Sequence, residues 1–258
     1  RLAMTIGSAM VFVFVPGGAV SIGTQDQSPS QPYFDPYANR MEQPPTPVTL
    51  APFFISKYEM TQAQWMRVRG ENPSYFRVGW FWGDSPVGFL NPIENVGWNK
   101  VAETLRRLDV ELPTAARWAY AARAGTHNAY GDGDQPESLA GSANVADQSL
   151  KNRGYTRTTV YSNFTDGFCP HAPVASFRAN GFGLHDLFGN VAEGRSDCVL
   201  LRVDESTFVG SDGLRRDGHL DKRVIRGGSW RQDAIHSRIA SRRLVPRDGS
   251  FDDVGLRP

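Results

Sequence analysis

Four positions in the stretch DLFGNVAE carry donors suited to a hard cation: the carboxylates of Asp186 and Glu193 and the backbone carbonyls of Gly189 and Val191. Calcium accepts such mixed oxygen shells, and Gly189 permits a chain path tight enough to aim a carbonyl inward. The spacing is not that of an EF-hand, so a turn capped by its own Asp and Asn side chains accounts for the same residues. Asn144 and Asp166 are further oxygen donors in separate loops, each also readable as a turn residue. Catalytic chemistry finds less support. The five histidines, His127, His171, His185, His219 and His236, lack the spacing of a metal-binding helix. There is no nucleophile elbow, phosphate loop or dinucleotide fingerprint. Cys169 lies between Phe168 and Pro170, which give no reason for a lowered thiol pKa.

The closing stretch, RVIRGGSWRQDAIHSRIASRRLVPRDGSFDDVGLRP, raises a different possibility. It starts as a strand and a glycine turn. Then come Arg231, Gln232, Asp233, His236, Ser241, Arg243 and Val245, which share no chemistry and sit too densely for one amphipathic face. Ala234, Arg238, Ala240 and Arg242 between them read as supports. A core segment would be apolar, and a plain solvent face would carry more Lys and Glu. The mixture suits a recognition surface or an exposed meander with no partner.

These residues need a frame. MVFVFVPGGAVSIGT predicts a strand, a Pro-Gly-Gly turn and a second strand. Residues 24–47 read as a long polar loop, and Val48–Tyr58 as one strand. Thr61 with Gln64 forms the pattern of a capping box, starting a helix that ends at Gly70. Asn99 and Thr114 are expected to cap two further helices. The aromatic segment 71–92 is irregular; Tyr75, Trp80 and Trp82 there either pack on the core or wall a groove. Residues 131–176 show little periodicity, which in so long a connection implies an anchor or a purpose. The whole predicts a loop-rich α+β domain covering 1–258, without a linker or repeat.

The 258 residues carry a formal net charge of +1, so charge gives no reason to invoke nucleic acid or an anionic membrane. Two cysteines, Cys169 and Cys198, make no disulfide framework, and whether they pair stays open. The apolar run 9–15 is too short to span a bilayer.

The stretches FVPGGAVSIG, PFFISKYEMTQAQW, NPIENVGWNKVAETL, LPTAARWAYAARAG, NGFGLHDLFGNVAE and RVIRGGSW, in this order, resemble the formylglycine-generating-enzyme-like, or sulfatase-modifying-factor, domain. The resemblance implies an elaborated C-type lectin fold and one or two structural calcium ions. The first would be held by Asn144, the Val145 carbonyl, Asp166 and the Phe168 carbonyl, the second by Asp186, the Gly189 and Val191 carbonyls and Glu193. Where the family motif has tryptophans, this chain has Ala192 and Gly194. Enzymatic members bind copper through a cysteine pair after the GGSW-like turn. Those positions are Gln232 and Ser237 here, and neither supplies a soft thiolate.

Within the superfamily the tail looks like the variable region of proteins diversified by retroelements, which retain the lectin-like scaffold and rewrite chosen positions. On that resemblance 223–258 is the variable region. The rewritten slots are Arg231, Gln232, Asp233, Ile235, His236, Ser241, Arg243 and Val245, with Ser250, Phe251 and Asp252 as further candidates. Gln232 is the slot that adenine-directed change of an asparagine codon does not readily reach. The implied function is non-catalytic binding of a protein or other cell-surface ligand. The alternatives are a small-molecule-modifying enzyme of the same superfamily and a structural module.

Overall fold

The computed structural model describes residues 9–82, 85–196, 208–209, 214–215 and 222–258. Cys198 and His219 lie outside them. The fold is mixed α+β and rich in loops, as the sequence predicts.

Strands β1 (Phe12–Val15) and β2 (Gly18–Ile22) flank the Pro-Gly-Gly turn. The single strand expected over Val48–Tyr58 is instead two, β3 (Thr46–Leu50) and β4 (Phe53–Ser56), parted at Ala51-Pro52. β3 pairs antiparallel with β2, and β4 with β1, so the break lets one apolar run serve two ladders. Gly17 makes the crossing possible: its φ is 73°, and a Cβ there would stand 2.5 Å from the Leu50 carbonyl oxygen.

Helix α1 (Gln62–Arg69) starts with the complete Thr61–Gln64 capping box and ends at Gly70 in the left-handed conformation, as expected. The short strands β5 (Phe81–Trp82) and β6 (Ser85–Pro86) form a hairpin inside the aromatic segment. Helix α2 (Trp98–Leu108) is capped at Gly97 rather than Asn99, and no side chain caps it. Helix α3 (Ala115–Arg123) is capped by the Thr114 side chain, but Ala124, not Gly125, takes the left-handed position after it. Trp118, Ala121 and Ala122 of α3 pack against Val15, Ile22 and Ile55 in the main core.

The long connection after α3 is held by anchors. Asp147 caps α4 (Gln148–Asn152), accepting from the Ser149 and Leu150 amides. Next come β7 (Ala192–Gly194), β8 (Phe208–Val209) paired with β9 (Leu214–Arg215), β10 (Lys222–Arg226), β11 (Arg243–Pro246) and β12 (Val254–Gly255). Four of these make one sheet in the order β11-β10-β7-β12. Its pairs are antiparallel except β7 with β12. This sheet positions the tail: the chain leaves β10 at Gly227-Gly228, loops through 229–242 and returns as β11 beside β10. Among the described residues no helix is long and apolar enough to cross a membrane.

Candidate functional site

The loop between β10 and β11 is fixed mainly through its backbone and a few buried supports. The Gln232 carbonyl accepts from the Ala146 amide at 2.8 Å, and the Ile239 amide donates to the Ala129 carbonyl at 2.8 Å. The Ala234 amide donates to Ser162 Oγ. From beneath, Arg226 donates to the carbonyls of Ile239, Ala240 and Ser241. Arg238 is buried and donates to Asp35 Oδ2 at 2.6 Å and Glu42 Oε2 at 2.8 Å, tying the loop to the long N-terminal connection. Ala234, Arg238 and Ala240 are thus the supports expected of them. Arg242 is half-buried and lines a cavity.

Six of the eight expected slots reach the surface. His236 is the most open, its side chain 54% exposed, while Arg231, Gln232, Ile235, Ser241 and Arg243 are half-buried. Gln232, His236, Ser241 and Arg243 line a cavity of about 210 Å³, and Gln232 and Arg243 also border a second of about 430 Å³ with Arg231. Two slots sit deeper than a surface reading expects. Asp233 is buried and accepts from, or pairs with, His236 Nδ1 at 2.6 Å. Val245 is buried with Ala192 and Ile225, because β11 turns it onto the sheet's apolar face while still bordering the second cavity. Ser250 is exposed, and Phe251 and Asp252 are half-buried.

The aromatic segment lies beside this loop through one cluster. Phe76, Trp80, Trp82, Tyr155 and Trp230 pack together with ring centroids 4.8–6.3 Å apart, edge-on or tilted except for the stacked Phe76–Trp82 pair. Trp80 and Trp82 are partly buried in it, so they act first as packing. Tyr75 is 57% exposed and packs edge-on against Phe76. Trp82 abuts Tyr155, whose hydroxyl accepts from Arg231 Nε and Nη2 at 3.2 and 2.9 Å. The aromatic cluster therefore sets the Arg231 guanidinium. Tyr155 lies in an aperiodic stretch and gave no sequence signal; nor did Asp253, which is buried and takes the Arg243 fork at 2.8 and 3.0 Å.

The first calcium set is brought together. Asp166 accepts from the Val145 amide at 3.0 Å and the Phe168 amide at 2.8 Å, and Asn144 Nδ2 donates to the Pro170 carbonyl. Asp147, missed by sequence reasoning, accepts from the Asp166 amide at 2.5 Å. Burial, and then the Asp147 charge, push the Asp166 carboxyl up to about 8. Among the described residues neither aspartate makes an ion pair. A buried Asp147 beside a half-buried Asp166, neither of them ion-paired among the described residues, with the Val145 and Phe168 backbone alongside, is a donor set suited to a hard cation.

The second set fits one only in part. Asp186 keeps a buried oxygen, Oδ1, with no hydrogen bond. The carboxylate of Glu193, by contrast, is taken up by the Trp118 indole at 2.8 Å, by Arg257 at 2.8 Å and by Arg195. Burial opposes its ionisation, but Arg257 and Arg195 hold it below its ordinary value. Gly189 and Val191 point their amides to the Gly227 carbonyl and to Glu59. Among the described residues no group of three or more His, Cys, Asp or Glu side chains is arranged to hold an ion by itself. Cys169 is buried, and burial pushes its thiol up to about 12. Gln232 and Ser237 stand at the positions of the copper-binding cysteine pair, so that pair is absent.

The sulfatase-modifying factor enzyme 1-like domain model matches residues 5–258. Formylglycine-generating enzyme of Mus musculus is 28% identical over 206 residues, covering 75% of this chain and 50% of that protein; the chain thus spans about half the length of that relative. Among solved structures, Treponema denticola variable protein 1 has a TM-score of 0.74 at 21% identity, covering 98% of this chain and 96% of its own. PvdO from Pseudomonas aeruginosa has a TM-score of 0.72 at 24% identity, covering 99% and 98%. At these identities the two structures speak for the fold alone. The match over nearly all residues, with the scaffold motifs in order, places the chain in the sulfatase-modifying factor enzyme 1-like domain family.

Proposed function

We propose that this chain, acting as one domain over 1–258, is a non-catalytic binding protein. Its slots at 231–245 form a diversified recognition surface for a protein or other cell-surface ligand. The observation that supports this most is the separation of duties in the tail. The backbone is hung on Ala129, Ala146, Arg226 and Arg238, while Arg231, Gln232, His236, Ser241 and Arg243 border adjoining cavities. Side chains such as Gln232 and Ser241 can change without unfastening the loop. Retroelement diversification is part of the proposal. It requires a reverse transcriptase gene nearby and an adenine-rich near-copy of the DNA encoding 223–258; absence of both removes it.

The test is a binding screen on an array of purified surface proteins, run beside a His236→Ala, Ser241→Ala double variant. The array partner is expected to bind the double variant roughly tenfold or more weakly. The melting temperature should fall by at most about 4 °C, because His236 is exposed and Ser241 half-buried, so that the main loss is the His236–Asp233 hydrogen bond. Equal binding by both forms would refute the reading. Arg243 is unsuitable for this purpose, since it neutralises the buried Asp253 and its removal should destabilise as well.

We also propose that Asn144, the Val145 carbonyl, Asp166 and the Phe168 carbonyl take a structural calcium ion, with Asp147 beside them. Calcium at about a hundredfold over its Kd should raise the melting temperature by roughly 5–10 °C. Asp166→Asn loses the charge and keeps an acceptor for only one of the Val145 and Phe168 amides, and should abolish that rise. A rise undiminished in the variant, or none in the parent, would sink this site.

A further inference from the structure

The carboxylate that the second calcium set needs is already spent on the protein's own cations. Arg257 is fully buried, and every nitrogen of its guanidinium donates. Nε reaches Glu193 Oε1 at 2.8 Å, and Nη1 reaches the Ser56 carbonyl at 3.1 Å. Nη2 is shared between the His185 and Asp186 carbonyls at 2.7 and 3.2 Å. One cation thus sits in an oxygen shell drawn from the end of β4, from residues 185–186 and from β7. The last two are segments that an ion held by Asp186 and Glu193 would tie together.

The other oxygen of Glu193 is taken as well. Oε2 accepts from the Trp118 indole at 2.8 Å and from Arg195, whose guanidinium lies over the Trp118 ring. A carboxylate offers about four acceptor sites, so Glu193 keeps little for a metal. Asp186 Oδ2 takes the Ala175 amide at 2.6 Å, and Oδ1 is the one carboxylate oxygen of the set without a hydrogen bond. Glu59 stands close by but cannot make up the difference. Its oxygens take the Val191 amide at 3.0 Å and the Asn190 side-chain amide at 2.6 Å. Calcium asks for about six to eight oxygens and is repelled by a guanidinium on the same carboxylate. To admit it, Arg257 would have to leave Glu193 and remain buried without its anion, which is costly.

We propose that Arg257, helped by Arg195 on Glu193, fills the place of the second ion, so that the second set binds no calcium. The inference rests on the proposed first site only for the ion that remains. The test counts calcium ions on the full chain by equilibrium dialysis with radioactive calcium. The parent should bind one, Asp186→Asn one, and Asp166→Asn none. Two ions on the parent, with one lost in each variant, would overturn this inference and leave the first site standing. A single ion that survives Asp166→Asn and disappears with Asp186→Asn would overturn both. No ion on the parent would sink the first site but agree with an excluded second.

A second arm tests the cause. In the Asp166→Asn background, Arg257→Gln frees Glu193 Oε1 from its cation and should gain one ion. Calcium should then restore at least half of the melting temperature that this variant loses, because an ion bound only by the folded chain stabilises it. If the variant folds yet gains no ion, the guanidinium is not what excludes calcium, and the inference fails. If it does not fold, the ion count on the parent and the two aspartate variants still decides.

Discussion

Arg238→Met is expected to lower stability by about 3–5 kcal/mol, the usual consequence of leaving buried acids without their cation. Arg238 donates to Asp35 and twice to Glu42, and all three residues are nearly inaccessible to solvent. Methionine replaces the aliphatic stem but strands two carboxylates, which must then be protonated or drag water inward. For a chain of this size that is roughly a 10 °C fall in melting temperature, read by calorimetry. The triple variant Arg238→Met, Asp35→Asn, Glu42→Gln should recover at least half of the loss, because the penalty lies in the uncompensated charges rather than in the missing contacts. Failure to recover would mean that Arg238 acts through packing alone. The same residue bears on function. It fixes the middle of the slot loop, just after Ile235 and His236, so the single variant should lose ligand as it loses stability. His236→Ala should lose ligand with a far smaller loss of stability, that of its hydrogen bond to Asp233.

How much of this was legible beforehand divides along the range of the interactions. The Thr61–Gln64 box was readable because cap chemistry is decided within three residues. The strand-turn-strand at 12–22 was readable because alternation and turn residues are local as well. The split of the 48–58 strand was not. Its residues are uniformly β-prone, and only the positions of β1 and β2 in space dictate that the two halves pair with different partners. The Gly97 cap of α2 was missed for a related reason: Asn99 is the better cap by residue type, but the chain is already helical from Trp98.

The site shows the same division. The six family stretches carried the fold, and residue spacing with that resemblance nominated both calcium sets. What spacing along a chain cannot reveal is which charges meet across it. Asp147 lies beside Asp166, and its proximity makes the first set a concentrated anionic site. Arg195 and Arg257 close on Glu193 and satisfy the second set's carboxylate from within the protein. In the tail, a list of unlike residues suggested exposure for all eight slots. The pairing of β11 with β10 decides otherwise for Val245, which falls on the sheet's covered face. The sequence marks where variety is tolerated, and the sheet register decides which of those side chains a ligand can touch.

Among the described glycines, Gly189→Ala should be the most damaging substitution. Gly189 has φ of 73°, where an L side chain is strained by about 1–2 kcal/mol. The larger obstacle is crowding: the new Cβ would stand 2.0 Å from the Asn144 carbonyl oxygen, a backbone atom that cannot swing aside. Gly70 makes the comparison clean. Its φ is 71°, almost the same, yet nothing lies within 4 Å of where its Cβ would be. Gly70→Ala should therefore cost only the conformational term, while Gly189→Ala should cost more than about 4 kcal/mol or leave the chain unfolded. The difference between the two variants, measured by denaturant unfolding, isolates the close approach of two loops. That approach matters beyond stability. The Gly189 amide donates to the Gly227 carbonyl at 2.7 Å, at the turn that launches the slot loop, and the next amide, Asn190, donates to the Asn144 carbonyl at 2.7 Å, at the first calcium set. One glycine thus lets the cation loops and the recognition loop share a backbone joint. If Gly189→Ala proves no worse than Gly70→Ala, the two regions are not rigidly joined there, and calcium would have no short route by which to brace the slots.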